Sequence, residues 1–473
     1  MSELFLDDPI VLDPEPRPHD RLSPGAWARA NLFDSKTNSV ITVIVGLIGG
    51  YLTWKALAWL ISIDFTIIRD TLRIFIIGQF PDDELWRLWT SGMVLMSAIG
   101  LIAGASARNA HDLALSQDLT PDKTGPLQLL RRFWAILAIL VLFASFARTI
   151  QPMIGVLAAI ALVFIVRQLA WTAPAAIRTR ATYITALMVV ASMLVVAGTS
   201  RLGGFCIGLV MFVWALNEMS HRDLSGRSGK VIRWAIPLAI AVVIGVVVAS
   251  IGFDGFGWKE WGGIHVNLFT AVVGIALGLP LGILLALGRQ SKLPVVRTAS
   301  VLYIEFVRGV PLISLLLFSK LLLPLFLPIT MERPTALTLA IIVIMGFSAA
   351  YIAEIVRGGL QAVAKGQTEA AQALGLSPGA MQRLIVLPQA LRAVIPAMVG
   401  QFIALFKDTT LLTTVAVLEF LDAASIANNQ PQFLGKGLAP VTYLFVAVGF
   451  WAFAFTMSKE SRRLERRLGV GTR

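Results

Sequence analysis

Apolar runs long enough to cross a bilayer follow one another along most of the chain, separated by short polar tracts rich in Arg and Lys. A hydrocarbon core of about 30 Å is crossed by about 20 residues of α-helix, so each such run predicts a transmembrane span. A first group lies at about 38–63, 86–104, 133–149, 152–168, 181–199, 203–219 and 232–252, and a second at about 263–288, 310–328, 336–357, 390–413 and 440–457. The pattern predicts an all-α polytopic membrane protein of about 12 transmembrane helices. The basic tracts orient it. Arg131 with Arg132, Arg178 with Arg180, HRDLSGRSGK at 221–230, Arg289 with Lys292, the loop at 365–392 and the terminal KESRRLERRLG all fall on one side of that threading. Positive charge gathers on the cytoplasmic side, so both termini are expected there.

Outside the spans, residues 1–37 read as a cytoplasmic tail, acidic and Pro-containing, with too little apolar length for a signal peptide. Residues 38–255 form a multi-helix membrane extension, 260–460 a second membrane unit, and 461–473 a basic cytoplasmic tail. The segment at 64–80 carries charges at helical spacing among Ile and Phe, which predicts an interfacial amphipathic helix rather than a span. The formal charge of +12 raises the question of nucleic acid. Because the basic residues sit in short tracts between apolar runs, membrane orientation accounts for them and a nucleic-acid partner is excluded. Cys206, the single cysteine, forms no intrachain disulfide and lacks the companions of a metal site.

The two groups of spans differ in buried charge. The first carries almost no ionisable residue away from helix ends, whereas Lys320 falls near the middle of its span and Lys407 and Asp408 lie in the outward part of theirs. Charges in hydrocarbon cost several kcal/mol unless they face partners or a wet cavity, so a transport pathway belongs to the second group. Sixteen residues of helix beyond Leu391 put Lys407 about 24 Å from the cytoplasmic end. Lys407 and Asp408 together offer one charge of each sign, which is what a zwitterionic amino acid requires in a low-dielectric site. Thr409 and Gln401 add polar groups nearby, and Lys320 is a further candidate for a carboxylate; a purely structural pairing of these charges is the competing reading. Glu305 with Arg308 and Glu354 with Arg357 share the pattern Glu-x-x-Arg-Gly at the cytoplasmic ends of two spans. The i,i+3 spacing predicts local pairs, read either as ordinary helix-end pairing or as a cytoplasmic gate. Gly309 and Pro311 predict a bend where the second-unit helix enters the membrane.

The stretch EAAQALGLSPGAMQRLIVLP at 369–388 is more polar than its surroundings. Gly375 suits the left-handed position that ends a helix, and Ser377–Pro378 supplies an N-cap followed by proline at the first helical turn. Leu387–Pro388 is expected to break the second helix before the next span. The result is a helix, a sharp corner and a second helix on the cytoplasmic surface. An ordinary loop packed on the membrane and a docking element for a soluble partner both fit its amphipathic face.

This stretch resembles the signature of ABC-importer permeases at every fixed position: Glu369, Ala370, Ala371, Gly375, Ile385, Leu387 and Pro388. The flanking YIEFVRGVPLISLLLF at 303–318, YIAEIVRGGLQAVAKGQ at 351–367 and LFKDTTLL at 405–412 look like the polar amino-acid branch of that family. The resemblance covers roughly residues 260 to 460. It implies a five-helix permease core whose coupling loop, residues 365–390, meets an ABC ATPase dimer carrying ATP and Mg. It implies also a second permease, unlike this one, a periplasmic amino-acid-binding protein and a bacterial inner membrane with its lipids. A core of this size behind a long N-terminal extension is similar to the larger permeases of general L-amino-acid transport systems. LSGRSGKV at 224–231 is the nearest approach to a phosphate loop, but Leu224 replaces the first Gly and Val231 the Mg-binding hydroxyl residue. No nucleotide-binding site, no cofactor and no enzyme activity are therefore expected on this chain. The alternative of an ion-coupled secondary transporter would call for coupling acids and internally repeated halves, of which only Asp408 offers a trace. A membrane scaffold without transport leaves the intramembrane charges unexplained.

Overall fold

A computed structural model of the chain describes residues 23–117, 126–197, 200–220, 227–250, 260–328 and 333–468. Residues 1–22 of the expected N-terminal tail, 469–473 of the expected C-terminal tail, and residues 221–226, which begin the HRDLSGRSGK tract and include the first three of LSGRSGKV, lie outside them. Among the described residues there are helices and two isolated β-bridges but no strand.

Residues up to Asp64 form one unit and residues from Phe65 onward another. In the first, α1 (Pro24–Leu32) precedes α2 (Lys36–Ile61), which is capped by Ser35 accepting the Asn38 N–H at 3.1 Å and is apolar on every side, as a lipid-facing span is.

The second unit begins with α3 (Thr66–Ile77), α4 (Leu85–Ser116), α5 (Pro126–Arg132), α6 (Trp134–Ser145), α7 (Gln151–Thr172), α8 (Ala175–Thr179), α9 (Ala181–Ala197), α10 (Ser200–Ser220) and α11 (Arg227–Ser250). It continues with α12 (Gly263–Arg289), α13 (Pro294–Gly309), α14 (Leu312–Leu321), α15 (Ala336–Ala362), α16 (Lys365–Ala373), α17 (Pro378–Met381), α18 (Leu387–Asp408), α19 (Phe420–Asn428) and α20 (Ala439–Leu468). Among the described residues, 8 helical stretches are long and apolar enough to cross a membrane, or 9 if the bent pair α13–α14 counts as one. Of the expected segments at 133–149, 181–199 and 203–219, the described residues hold only shorter apolar helices of 10–17 residues, Trp134–Ser145, Ala181–Ser192 and Cys206–Met219. The expected span at 310–328 is corrected further. The chain turns by 102° between α13 and α14, and α14 has 10 residues, about 15 Å of helix. Gly309 and Pro311 stand at that corner, as their backbone properties foretold.

The core is built around α15, whose Ala340, Ile344, Ala350, Ile352, Ala353 and Val356 are fully buried. Gly274, Gly278 and Gly282 recur every fourth residue on α12 and allow it close against α15: a Cβ on Gly282 would lie 2.8 Å from the Ala349 carbonyl. Small residues at this spacing let membrane helices pack backbone to backbone. On the other side of α15, a Cβ on Gly359 would lie 2.6 Å from the Ala390 carbonyl of α18.

The segment at 64–80 is amphipathic as expected, but protein rather than membrane covers its apolar face. Ile67, Ile68 and Phe75 are fully buried where α3 meets α12, α19 and α20, and the Phe75 ring lies 6.0 Å from Phe420 and 5.1 Å from Phe445. A second attachment runs from α5–α6 to α20, where Phe143 stacks on Phe445 at 4.3 Å and Arg132 Nε donates to Glu460 Oε2 at 2.6 Å. Periodicity alone does not separate a helix covered by lipid headgroups from one covered by other helices.

Candidate coupling loop and translocation site

The corner at 369–388 forms as its residues dictate. Gly375 takes φ +72°, with its N–H on the Gln372 carbonyl at 2.9 Å and the Leu376 N–H on the Ala371 carbonyl at 3.1 Å, the paired bonds of a Schellman stop. Ser377 Oγ then accepts the Ala380 N–H at 3.3 Å and Pro378 opens α17. Ala371 is buried at the base, while Glu369, Ala370 and Gly375 are exposed. The loop also presents bare apolar side chains, Leu374 at 78% and Leu384 at 64% exposure. Gln389 Nε2 donates to Gln367 Oε1 at 3.2 Å and ties the two limbs together.

Leu387–Pro388 does not break the helix. Gln382–Val386 forms a π-turn, the Leu387 N–H reaches back to the Gln382 carbonyl, and helix continues from Pro378 to Val415. Proline lacks an N–H and its ring presses on the carbonyl four residues back, here that of Leu384; a wider turn relieves both problems without ending the helix. The corner at 369–388 is therefore continuous with α18, the helix that carries Lys407 and Asp408.

Where α12, α13 and α15 come together, the expected local pairs are half realised. Glu354 and Arg357 do bond, with Arg357 Nε donating to Glu354 Oε1 at 2.9 Å. Glu305 and Arg308 do not pair with each other: Arg308 lies 3.6 Å from Glu354, and Glu305 accepts from Arg289 Nη1 at 3.0 Å. Arg289 stands 3.5 Å from Glu354 as well. Glu354 thus joins α12, α13 and α15 through three arginines.

At the other end of α18, Lys407 is exposed and Asp408 half-buried; neither has an ion-pair partner among the described residues. Gln401 is half-buried seven residues before Asp408, a spacing that brings it to the same helix face. Thr409 and Lys320 are engaged elsewhere. The Thr409 hydroxyl is fully buried, donating to the Phe406 carbonyl at 2.6 Å and accepting from Asn267 Nδ2 at 2.9 Å. Lys320 Nζ donates to the Val415 carbonyl at 2.7 Å.

Two residues with no sequence signal complete this end. Asn267 Nδ2 also donates to Glu419 Oε2 at 3.0 Å, and its Oδ1 accepts the Phe420 N–H at 2.9 Å. Glu419 caps α19 by accepting the Leu421 N–H at 2.8 Å and the Asp422 N–H at 2.7 Å. Both side chains are fully buried.

Residues 278–470 match the family described as binding-protein-dependent transport system inner membrane component. The chain is 32% identical to the glutamate/glutamine/aspartate/asparagine transport system permease BztC of Rhodobacter capsulatus, over 99% of each chain. It is 41% identical to the inner membrane amino-acid ABC transporter permease YhdY of Escherichia coli, over 56% of this chain and 70% of that one. The chain belongs to the binding-protein-dependent transport permease family. A third relative, the probable glutamine permease GlnP of Bacillus subtilis, is 36% identical over 44% of this chain and 92% of its own length. Such permeases are multi-pass inner-membrane transport subunits and not enzymes in themselves, and membership favours an ABC permease over an ion-coupled transporter. The BztC match runs through the N-terminal extension as well as the core, so the long extension is shared with a full-length relative.

Proposed function

We propose that the chain is one permease subunit of an ATP-driven amino-acid importer, forming half of the translocation pathway and receiving force from a separate ATPase through residues 369–388. The observation that carries this reading is the continuous helix from Pro378 to Val415: it begins in the corner that bears the permease signature and carries the adjacent, opposite charges Lys407 and Asp408 towards its far end. A displacement of the corner by a cytoplasmic partner is then transmitted along one continuous helical element to the place where an amino acid is held.

In this reading an ABC ATPase dimer binds ATP and Mg and grips the corner through Glu369, Ala370 and Gly375 together with exposed Leu374 and Leu384. Buried Ala371 shapes the base of the corner, and Leu387 with exposed Pro388 completes its second limb. A periplasmic amino-acid-binding protein delivers substrate, and a second permease, unlike this one, encloses the other half of the pathway; the amino-acid permease relatives support an amino-acid substrate. Rocking of the two permeases against each other opens the site alternately to each side. Asp408 takes the ammonium of the substrate, Lys407 its carboxylate, and Gln401 lines the same face. Glu354 with Arg289, Arg308 and Arg357 closes the cytoplasmic side, with Glu305 holding Arg289.

The reading is tested by purifying the tagged chain from native membranes with its partners and measuring uptake by the reconstituted complex. A stoichiometric ATPase is expected, and Asp408→Asn and Lys407→Met should each impair uptake with that ATPase still bound. Normal uptake in both variants removes these two residues from the substrate site; absence of the ATPase removes the coupling assignment.

A further inference from the structure

The segment that follows Asp408 is an unusual one. Thr409–Val415 is a 3₁₀-helix of 7 residues, and it ends in Ala416 at φ 57°, a left-handed conformation in a residue other than glycine. Runs of 3₁₀-helix beyond 3–4 residues are uncommon because their hydrogen bonds are poorly directed, and a left-handed alanine costs about 1 kcal/mol. Such geometry persists where the surroundings over-determine it, and local strain of this kind gathers at functional sites.

Here the surroundings hold both ends. At the first, Asn267 of α12 donates to the Thr409 hydroxyl at 2.9 Å, and its remaining polar contacts go to Glu419 and the Phe420 N–H, so the amide is anchored from two further directions. At the last, Lys320 of α14 donates to the Val415 carbonyl at 2.7 Å, placing a cation at the negative end of the short helix. The two anchors come from different helices, each packed on α15. Both polar groups are engaged within the protein: the Thr409 hydroxyl both donates and accepts, and the Lys320 ammonium donates one of its three N–H groups to a backbone carbonyl.

We propose that Asn267 and Lys320 are positioning residues of the translocation site, holding the two ends of Thr409–Val415 and so fixing where Lys407 and Asp408 present their charges to the amino acid. The inference rests on the assignment of Lys407 and Asp408 to substrate. It reassigns Lys320 from a substrate ligand to a clamp, and it adds Asn267, with Glu419 as the anchor that keeps the amide in place. Loosening either clamp lets the last turn of α18 shift, which weakens capture of the substrate more than it slows the cycle.

The test is uptake kinetics of the whole reconstituted complex, scored per assembled complex. Thr409→Val removes the bonded hydroxyl at nearly constant volume, and Thr409→Ser restores it; Lys320→Met removes the donor at nearly constant length, and Lys320→Arg restores it. The valine and methionine variants are expected to raise KM about fivefold, the loss of one buried hydrogen bond, with little change in maximal rate. The serine and arginine variants are expected to return KM towards the starting value. Unchanged KM in either hydroxyl-free or ammonium-free variant overturns the clamp at that end, and so does an equal effect in the restoring variant. If one pair fails to assemble, the other end of the segment still decides, and failure of all four to assemble shows a purely structural role and overturns the proposal. Asp408→Asn measured alongside separates the two layers: an effect there with none in the clamp variants sinks the clamp alone, whereas no effect there sinks the substrate assignment itself.

Discussion

Arg308 lies 3.6 Å from Glu354 on the neighbouring helix and leaves Glu305, one turn earlier on its own helix, to Arg289. The exchange converts what reads as two local pairs into a cross-helix fastening of α12, α13 and α15. Its members are partly exposed, so each contact contributes modestly to stability. A double-mutant cycle on the unfolding stability of the detergent-purified complex checks the wiring. Arg308→Ala with Glu354→Gln should show a coupling of about 0.5–1 kcal/mol, and Arg308→Ala with Glu305→Gln almost none. Equal couplings would restore the local pairing that the sequence suggests.

Gly375 tests the corner through its backbone rather than its space. At φ +72° a side chain is strained, yet no atom stands within 4 Å of where a Cβ would be. Gly375→Val should therefore cost about 1–3 kcal/mol locally and turn α17 away, while Gly375→Asn, which tolerates the left-handed region, should be much milder. The check is uptake at matched membrane levels; equal behaviour of the two variants would show that the conformation of the corner is immaterial.

The burial of α3 makes a quantitative claim about the start of the second unit. Phe75 is fully buried between Phe420 and Phe445, so Phe75→Ala should destabilise by about 3–5 kcal/mol, seen as a fall in the unfolding temperature of the detergent-purified complex. A phenylalanine lying in the membrane interface would lose far less on the same substitution. An unfolding temperature within about a degree of the parent would return α3 to the membrane surface.

What was legible in the sequence follows from local chemistry. Apolar length marked the helices, Gly375 and Ser377–Pro378 marked the corner, and Gly309 with Pro311 marked the bend, because each effect is settled within a few residues of chain. What was illegible depends on partners far away. Pro388 reads as a helix end until a π-turn is allowed for, and α14 reads as a span because the apolar run of residues continues past the helix itself. Asn267 and Glu419 are ordinary residues 152 positions apart whose meaning appears only when they share a hydrogen bond. Arg308 has two carboxylates within reach of its side chain, and spacing along one helix cannot choose between them.

Glu419 also predicts a pH dependence. Burial pushes its carboxyl above the usual range, while hydrogen bonds from the Leu421 N–H, Asn267 and the Asp422 N–H pull the other way with less effect. A carboxyl that holds its proton more tightly folded than unfolded favours the folded state most at low pH, and that contribution is lost as pH rises from the ordinary carboxylate range through the raised value. Glu419→Gln removes the titration. The unfolding temperature of this variant should vary less steeply with pH across that window, even though the amide loses one acceptor of the α19 cap. An unchanged slope would mean that Glu419 does not titrate differently on folding.

The central claim is that residues 369–388 join this permease to a separate ATPase. The most direct measurement is the amount of ATPase that co-purifies with the tagged full-length chain from native membranes, compared with the same chain carrying Glu369→Lys, an exposed charge reversal away from the core. Stoichiometric ATPase with the parent chain and a large loss with the variant, at equal membrane insertion, is the predicted result. Undiminished ATPase in the variant, together with undiminished ATP-driven uptake, would contradict it.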